Sequence, residues 1–247
     1  MNKNAIIPLI LLMCLIGAIV SIFYPRKRKT SGNPWALAKS YKVRGLDLSH
    51  WNGKVIYDEL ESLDFVFLKV SQGNSLVDRM FDQHYQEFRE RDVAVGAYHF
   101  FSFGIDGREQ ALHYLNQLDG RQLQLPLTID VEQDGNPWVP YQQVRKELRA
   151  FMTEIEKHTQ YKPIIYTNGD GYTNFIENDF DDCTLWLSST NTWRPQNMNC
   201  TFWQFNMKAD LMAITHHVDL NVFRGSREEW EEYLSINKPY VLKVKRG

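Results

Sequence analysis

The chain has 247 residues, of which 43% are hydrophobic and 13% aromatic, so it can bury one sizeable core, as an α/β barrel of about 200 to 250 residues does. With 23% charged residues and no low-complexity stretch, the composition excludes extensive disorder away from the ends. The formal net charge is −2, but five of the 28 basic residues and none of the 30 acids lie in residues 1–29, so the main domain is acidic, which argues against nucleic acid as a partner.

Residues 1–29 predict a membrane anchor or an uncleaved signal segment with a basic flank. Residues 5–24 carry no charge and, as a helix, are long enough to cross about 30 Å of hydrocarbon. The sequence PRKRKTSGNP follows at once, as in a membrane flank and linker. No small-residue cleavage site convincingly precedes Tyr24, so we expect retention, with secretion after cleavage as the alternative. By the positive-inside rule alone, the four bases after the span would leave the main domain in the cytoplasm.

The chain has three cysteines. Cys14 lies in the apolar segment, whereas Cys183 and Cys200 could pair in an oxidising compartment or could be two buried thiols. No CxxC, HExxH or His-rich cluster is found, so the sequence predicts neither a metal site nor another cofactor.

Eight short β-rich runs follow one another along the main domain. Most are nearly continuous apolar runs, which is typical of strands covered on both faces. They cover residues 43–49, 65–71, 93–101, 125–132, 162–168, 184–189, 201–206 and 217–223.

Helical periodicity separates most of these runs. It is found at 78–92, 106–120 and 140–159, with a shorter helix near 171–177 and a last one at 226–235. Alternating strands and helices imply a parallel sheet, and eight such strands predict a closed barrel. The last three strands leave no room for crossover helices, so we expect an irregular, TIM-like (β/α) barrel of the α/β class. A doubly wound open sheet is the alternative, but no GxGxxG or P-loop follows any strand.

These elements divide the chain into four parts. They are the anchor segment 1–29, a linker 30–41, the barrel domain 42–237 and a basic C-terminal tail 238–247.

Three of the predicted strands end in an acid within an apolar context. They supply Asp47 in GLDLS, Asp130 and Glu132 in TIDVEQ, and Asp219 in HVDLN. Asp130 and Glu132 are two apart and share a strand face, and barrel active sites lie where the strands end. Such acids could instead cap loops or pair with Lys69 and Arg44. Two like charges held close raise the pKa of one of them, which supplies the protonated acid and the carboxylate that glycoside hydrolysis needs.

Aromatic and amide residues at the strand ends favour a sugar substrate. The aromatic faces suit pyranose rings, and the amides of Asn168, Gln204 and Asn221 suit hydroxyl and acetamido groups. The predicted binding set is Trp51, Lys69, Tyr98, His99, Phe100, Tyr166, Asn168, Trp186, Trp203 and Gln204.

The chain resembles the glycoside hydrolase family 25 lysozymes, the Chalaropsis type of N-acetylmuramidase. The resemblance spans residues 43–223 and rests on motifs in the same order: GLDLSHWNG, FVFLKVSQGNSLVDRMF, VAVGAYHFF, LPLTIDVEQ, PIIYTN, LWLSS, FWQF and VDLNVF. It implies an irregular barrel of eight strands and five helices. It also implies cleavage of the β-1,4 bond between N-acetylmuramic acid and N-acetylglucosamine in peptidoglycan.

The resemblance also implies roles for the four acids. Glu132 corresponds to the proton donor, while Asp47, Asp130 and Asp219 correspond to the assisting aspartates. We favour Asp130 as the group that orients the substrate's own acetamido group, rather than as a nucleophile. One departure stands out, because Gln72-Gly73 replaces the Glu-Gly common in the family.

A peptidoglycan substrate lies outside the cytoplasmic membrane and therefore outweighs the charge rule. We expect a membrane-anchored protein with its catalytic domain in the periplasm or outside the cell, and peptidoglycan glycan strands as the partner. A family 18 chitinase is an alternative, but its DxxDxDxE strand would need acids where Leu125 and Thr128 stand. The second alternative, a catalytically silent, membrane-tethered peptidoglycan-binding module, has only Gln72 in its favour.

Overall fold

The computed structural model describes residues 32–159, 161–189, 200–237 and 240–243, and within these residues eight strands close a barrel. Going round the barrel, the order is β1-β10-β9-β8-β7-β6-β4-β2, and β2 pairs back onto β1. The barrel strands are β1 (Arg44–Leu48), β2 (Phe65–Gln72), β4 (Ala94–Phe100), β6 (Thr128–Asp130), β7 (Ile164–Asn168), β8 (Leu185–Ser188), β9 (Phe202–Ala209) and β10 (Val218–Phe223). The predicted α/β barrel is confirmed, and each predicted strand is found.

Three short strands lie outside the barrel. Strand β3 (Leu76–Val77) pairs with the end of β2, and β5 (Gln122–Leu123) pairs with β11 (Tyr240–Val241) in a separate two-stranded sheet.

The direction of β10 corrects the sequence-based expectation of a parallel sheet. The pairings from β1 through β2, β4, β6, β7 and β8 to β9 are parallel, whereas β10 is antiparallel to both β9 and β1. The connection at 210–217 is too short for a crossover helix, so β10 can only return beside β9 in the opposite sense. Asp219 therefore lies near the start of its strand, not at its end, yet at the same end of the barrel as the carboxyl ends of its neighbours.

Five helices surround the barrel in the described part of the chain. They are α1 (Phe81–Arg89), α2 (Gly107–Leu118), α3 (Tyr141–His158), α4 (Gly169–Gly171, continued by a π-helical turn at Tyr172–Ile176) and α5 (Arg227–Ile236). Side chains fix their starts: Asp106 accepts a hydrogen bond from the Glu109 amide before α2, and Ser226 and Glu229 form a capping box before α5. The predicted helical segments agree with these bounds to within a few residues.

The barrel separates two apolar clusters, and β2 shows why. Val66, Leu68 and Val70 point outward into the large cluster beneath the helices, while Phe65 and Phe67 point into the barrel interior. The interior is filled by aromatic rings, including Trp186 stacked on Phe67 at 4.3 Å. Gly96 is required beside this stack, because a Cβ there would lie 2.5 Å from the Phe67 ring.

The packed domain extends into both predicted flanks. Trp35, which the sequence analysis assigned to the linker, is 3% exposed and packs 5.7 Å from the Phe205 ring. In the predicted tail, Tyr240 pairs with Leu123. Cys183 and Cys200 are both free thiols.

The predicted membrane anchor at 1–29 lies outside the described residues. Within the described ranges, no helix combines the length and apolar character needed to cross a membrane.

Candidate active site

A cavity of about 320 Å³ opens at the end of the barrel where the parallel strands finish, and all four predicted acids line it. Asp47 comes from β1, Asp130 from the end of β6, Glu132 from the loop after β6, and Asp219 from β10. The structure therefore brings together acids that are separated by up to 172 residues in the sequence. Asp47 and Asp219, the two that are farthest apart, are also register partners across β1 and β10.

Asp47 is held by two side-chain amides. Its Oδ2 accepts hydrogen bonds from Asn221 Nδ2 at 2.8 Å and from Gln204 Nε2 at 2.9 Å. Burial raises the pKa of Asp47 to about 6, while the hydrogen bonds from Asn221 and Gln204 oppose the rise by stabilising the carboxylate. Asp47 is thus a buried acid with preorganised donors for its charged form.

Asp219 is stabilised less by hydrogen bonds than Asp47, so burial and neighbouring charges dominate its pKa. Among the described residues, its Oδ2 receives one side-chain hydrogen bond, a longer one of 3.3 Å from Gln204 Nε2. Burial, followed by the nearby charges of Asp47 and Glu132, raises the pKa of Asp219 to about 9. Near neutral pH, Asp219 therefore carries a proton.

Asp130 and Glu132 both line the cavity, although the strand itself ends at Asp130. Asp130 is 7% exposed, and its Oδ1 has no hydrogen-bond partner among the described residues. Burial raises the pKa of Asp130 well above its usual value; the charge of Glu132 adds to the shift and that of Lys69 opposes it.

Glu132 is suited to proton donation. Burial, then the charges of Asp134 and Asp47, raise the pKa of Glu132 to about 7, and Lys69 limits the rise. The loop that carries Glu132 is braced by Asn136, whose Nδ2 donates to the Glu132 carbonyl at 2.9 Å. A half-buried acid with this pKa holds its proton near neutral pH and can still release it.

Lys69 supplies the positive charge of the cavity. Its Nζ lies 4.8 Å from the centre of the Phe100 ring and donates to Gln72 Oε1 at 3.1 Å. Burial lowers the pKa of Lys69, while Asp130, Asp78 and Glu132 act to raise it. Gln72, the position that departs from the family pattern, is thus a neutral partner for this lysine.

Seven of the ten predicted binding residues line the cavity: Trp51, Lys69, Tyr98, Phe100, Tyr166, Trp186 and Gln204. They differ in accessibility. Trp51 is 73% exposed and offers a free ring face, whereas Trp186 is 2% exposed and offers little more than an edge.

The other three predicted binding residues lie away from the cavity. His99 follows the inward-facing Tyr98, so it points outward, where Ser71 and Gln110 contact its ring and burial lowers its pKa to about 3. Trp203 precedes the inward-facing Gln204 and donates to the Ser189 carbonyl. Asn168 caps α4 by accepting from the Gly171 amide at 2.8 Å.

The sequence analysis did not single out Ser49 and Asn52, which also line the cavity. They form a capping box around the short helical turn His50–Asn52, a pattern that the sequence SHWN could have indicated. His50 bonds through Nδ1 to the buried Asp78 at 2.7 Å. Its ring lies against that of Trp51, with centroids 4.5 Å apart and planes tilted by 37°, and so supports the exposed ring. In the described part of the chain, no cluster of three or more His, Cys, Asp or Glu residues could hold a metal ion.

Comparison with known proteins gives consistent matches. The family described as glycosyl hydrolases family 25 matches residues 46–213. The YegX protein of Escherichia coli (strain K12) is 31% identical over 204 residues, covering 79% of this chain and 74% of that protein. Lysozyme M1 of Streptomyces globisporus is 24% identical over 203 residues, covering 74% and 68%. The solved structure of a family 25 glycosyl hydrolase from Bacillus anthracis is 32% identical with a TM-score of 0.70, covering 78% of this chain and 94% of that one.

Proposed function

The chain belongs to glycosyl hydrolase family 25, and from this premise we propose that it cleaves the β-1,4 bond between N-acetylmuramic acid and N-acetylglucosamine in peptidoglycan. It is a glycoside hydrolase, and its lysozyme relatives support peptidoglycan as the substrate class. The bond cleaved and the role of each acid are our proposal.

One observation carries the proposal. A carboxyl group whose pKa is raised to about 7, Glu132, lies in the same cavity as Asp130, a buried carboxyl with an unpartnered oxygen. Hydrolysis of a glycosidic bond needs a proton for the leaving oxygen and stabilisation of the positive charge that develops on the sugar. In our proposal Glu132 supplies the proton, and Asp130 supplies a hydrogen-bond acceptor that orients the substrate's own acetamido group, whose oxygen stabilises the positive charge.

We assign the steps as follows. Glu132 donates its proton to the glycosidic oxygen as the bond to the anomeric carbon breaks. The carbonyl oxygen of the substrate's own acetamido group attacks that carbon, and Asp130 Oδ1 accepts the hydrogen bond of the acetamido N–H. Water then opens the resulting ring, and Glu132 takes the proton from this water. Asp47 and Asp219 assist by setting the electrostatic environment of the reacting sugar.

The test is the full-length protein on purified peptidoglycan, with new reducing ends reduced by borohydride and identified by mass. We expect reduced muramic acid ends, lost by about 10²-fold or more in Glu132→Gln. Glu90→Gln, an exposed acid at the end of α1, is the matched control and should retain activity. Reduced glucosamine ends would show that the bond assignment is wrong, and full activity of Glu132→Gln would remove Glu132 from the role of proton donor.

The alternative of a catalytically silent wall-binding module has no support from these comparisons. The matching family is described as glycosyl hydrolases, lysozyme M1 is one of the chain's relatives, and the cavity of this chain retains four acids that binding alone would not require. Glycan binding without any release of reducing ends by the wild type would restore this alternative.

The location of the protein is part of the same proposal. Because peptidoglycan lies outside the cytoplasmic membrane, we propose that residues 1–29 anchor the chain with the catalytic domain on the outer side. Protease added to intact spheroplasts should then degrade the domain, and protection until lysis would contradict this orientation.

A further inference from the structure

Tyr166 and Trp186 line the cavity but present little surface to a substrate, being 7% and 2% exposed. Each instead donates a hydrogen bond to an amide oxygen. Trp186 Nε1 donates to Asn221 Oδ1 at 2.8 Å, and Tyr166 OH donates to Gln204 Oε1 at 2.8 Å. Both hydrogen bonds are buried.

The hydrogen-bond partners on its two sides fix the direction in which each amide points. An indole N–H can only donate, so the group of Asn221 that faces Trp186 must be its oxygen, and its NH2 must face the other way. On that side lies Asp47 Oδ2, at 2.8 Å. For Gln204 the carboxyl oxygens of Asp47 and Asp219 face the NH2 at 2.9 and 3.3 Å, which leaves Oε1 facing Tyr166. The Tyr166 hydroxyl could donate or accept, and by donating to Oε1 it holds this orientation.

The result is an unequal pair of acids. Asp47 Oδ2 receives two short N–H donors, whereas Asp219 Oδ2 shares one longer donor. Donors of this kind stabilise a carboxylate over a carboxylic acid. Two register partners that repel each other will share one proton, and the partner with the more numerous and shorter N–H donors will hold the charge.

Resting on the proposed function, we infer that Tyr166 and Trp186 are positioning residues: they orient the Gln204 and Asn221 amides so that Asp47 is the ionised member of the Asp47–Asp219 pair and Asp219 holds the proton. The arrangement places a fixed negative charge on β1 of the cavity and a hydrogen-bond donor on β10. Neither Tyr166 nor Trp186 needs to touch the substrate for this role.

The rigidity of Trp186 supports the inference. Its ring is stacked on Phe67 at 4.3 Å and meets the Tyr166 ring edge at 4.6 Å, so the indole N–H cannot turn away from Asn221. Other groups also act on the Asp47 charge, and all of them are unchanged in the Trp186→Phe variant used below. They are Asp130, Glu132, Asp219 and the phenols of Tyr98 and Tyr166, with Lys69 as the basic group facing Asp130 and Glu132.

The test is a carboxyl-carbon NMR titration of the full-length protein labelled with ¹³C at the aspartate carboxyls. Asp47→Asn and Asp219→Asn assign the two signals. In the wild type we expect Asp47 to titrate at a lower pH than Asp219. Trp186→Phe removes the indole N–H and should raise the Asp47 midpoint by about one pH unit, and Tyr166→Phe should act in the same direction.

Matched controls separate orientation from packing. Trp230→Phe removes an indole from the same interior cluster, and Tyr114→Phe removes a buried hydroxyl that donates to the Ala97 carbonyl; both should leave the Asp47 midpoint in place. If Asp219 titrates below Asp47 in the wild type, the inference is wrong. If Asp47 is unmoved in both Trp186→Phe and Tyr166→Phe, these residues only pack. Since the titration needs no substrate, it stands even if the wild type releases no muramic acid ends, a result that would overturn only the proposed reaction.

Discussion

Asp47 and Asp219 face each other across an antiparallel pair of strands, and the single amide of Gln204 donates to both carboxyl groups, at 2.9 and 3.3 Å. Two acids in this position destabilise the fold when both are charged. The fold avoids this electrostatic cost while Asp219 is protonated, and the cost appears as the pH rises towards the pKa of Asp219.

Replacing Asp219 should make the protein more stable at alkaline pH. Its pKa is raised to about 9 in the folded chain, while the unfolded value is about 4, so the folded state binds the extra proton between these values. The contribution of this proton to the free energy of unfolding is complete below pH about 4 and is lost as the pH rises towards 9. Urea unfolding of Asp219→Asn should give a free energy of unfolding higher than that of the wild type at pH 8 by about 1 kcal/mol or more, with a smaller difference at pH 5.

Asp170→Asn is the control for that experiment, because Asp170 is exposed and lies outside the cavity. An Asp219→Asn protein with the wild-type dependence of stability on pH would show that Asp219 is ionised in the fold.

The alkaline limit of activity should follow Glu132. As a proton donor, Glu132 must be protonated, and its pKa of about 7 predicts that kcat/KM falls above pH 7. The charge of Asp134 is the second cause of this raised pKa after burial. Asp134→Asn should therefore move the alkaline limb to lower pH, by a few tenths of a unit at low salt because Asp134 is exposed.

The pH dependence of kcat/KM on soluble glycan fragments measures this limb. Asp92→Asn, an exposed acid remote in sequence, should not move it. A limb that moves to higher pH in Asp134→Asn would mean that a different group sets it.

Gln72→Glu should shift the same limb in the opposite direction. A carboxylate at position 72 would meet Lys69, which now donates to Gln72 Oε1 at 3.1 Å, and would draw the lysine charge away from Glu132. The added negative charge and the weaker interaction of Lys69 with Glu132 both raise the pKa of Glu132, so the alkaline limb should move to higher pH.

Gln72→Leu gives the matched comparison, because it removes the acceptor without adding charge. It should leave Lys69 free to act on Glu132 and should lower the limb or leave it unchanged. Identical pH profiles for Gln72→Glu and the wild type would show that Lys69 does not connect these groups.

Trp51 should contribute to substrate binding more than to the chemical step. It is the exposed aromatic ring at the cavity, 73% exposed and supported by His50. Trp51→Ala should raise KM by about 3- to 10-fold, as expected for one lost ring contact, with kcat less affected. Trp138→Ala removes a ring that is 74% exposed but does not line the cavity, so its KM should stay at the wild-type value. Equal effects of the two substitutions would contradict a specific role for Trp51.

Much of the barrel could be predicted because its signals are local. Nearly continuous apolar runs mark strands buried on both faces, and the acids near their ends stand out against that background. The direction of β10 could not be read in this way, because strand direction depends on which neighbour the strand pairs with. The short connection at 210–217 was the usable clue.

The binding residues were predicted less well, for a physical reason. Neighbouring residues on a strand point to opposite faces, so His99 and Trp203 could not share the cavity with Tyr98 and Gln204. Residue type and position identify polar and aromatic residues at strand ends, but only the pairing of the strand shows which of two neighbouring residues points into the barrel. The unpartnered oxygen of Asp130 and the amide contacts of Asp47 depend on side-chain geometry that no sequence pattern encodes.

The aromatic filling of the barrel has a consequence for how a long polymer is handled. Trp186, Phe67 and Phe202 occupy the interior beneath the cavity, and Trp230 lies against Phe65 at the far end, so the lumen is not a tunnel. A glycan cannot thread through the barrel and must bind at its mouth. We therefore expect that recognition requires no chain terminus, so the earliest products from long strands should be large fragments of many lengths, which size-exclusion profiles at low conversion would reveal.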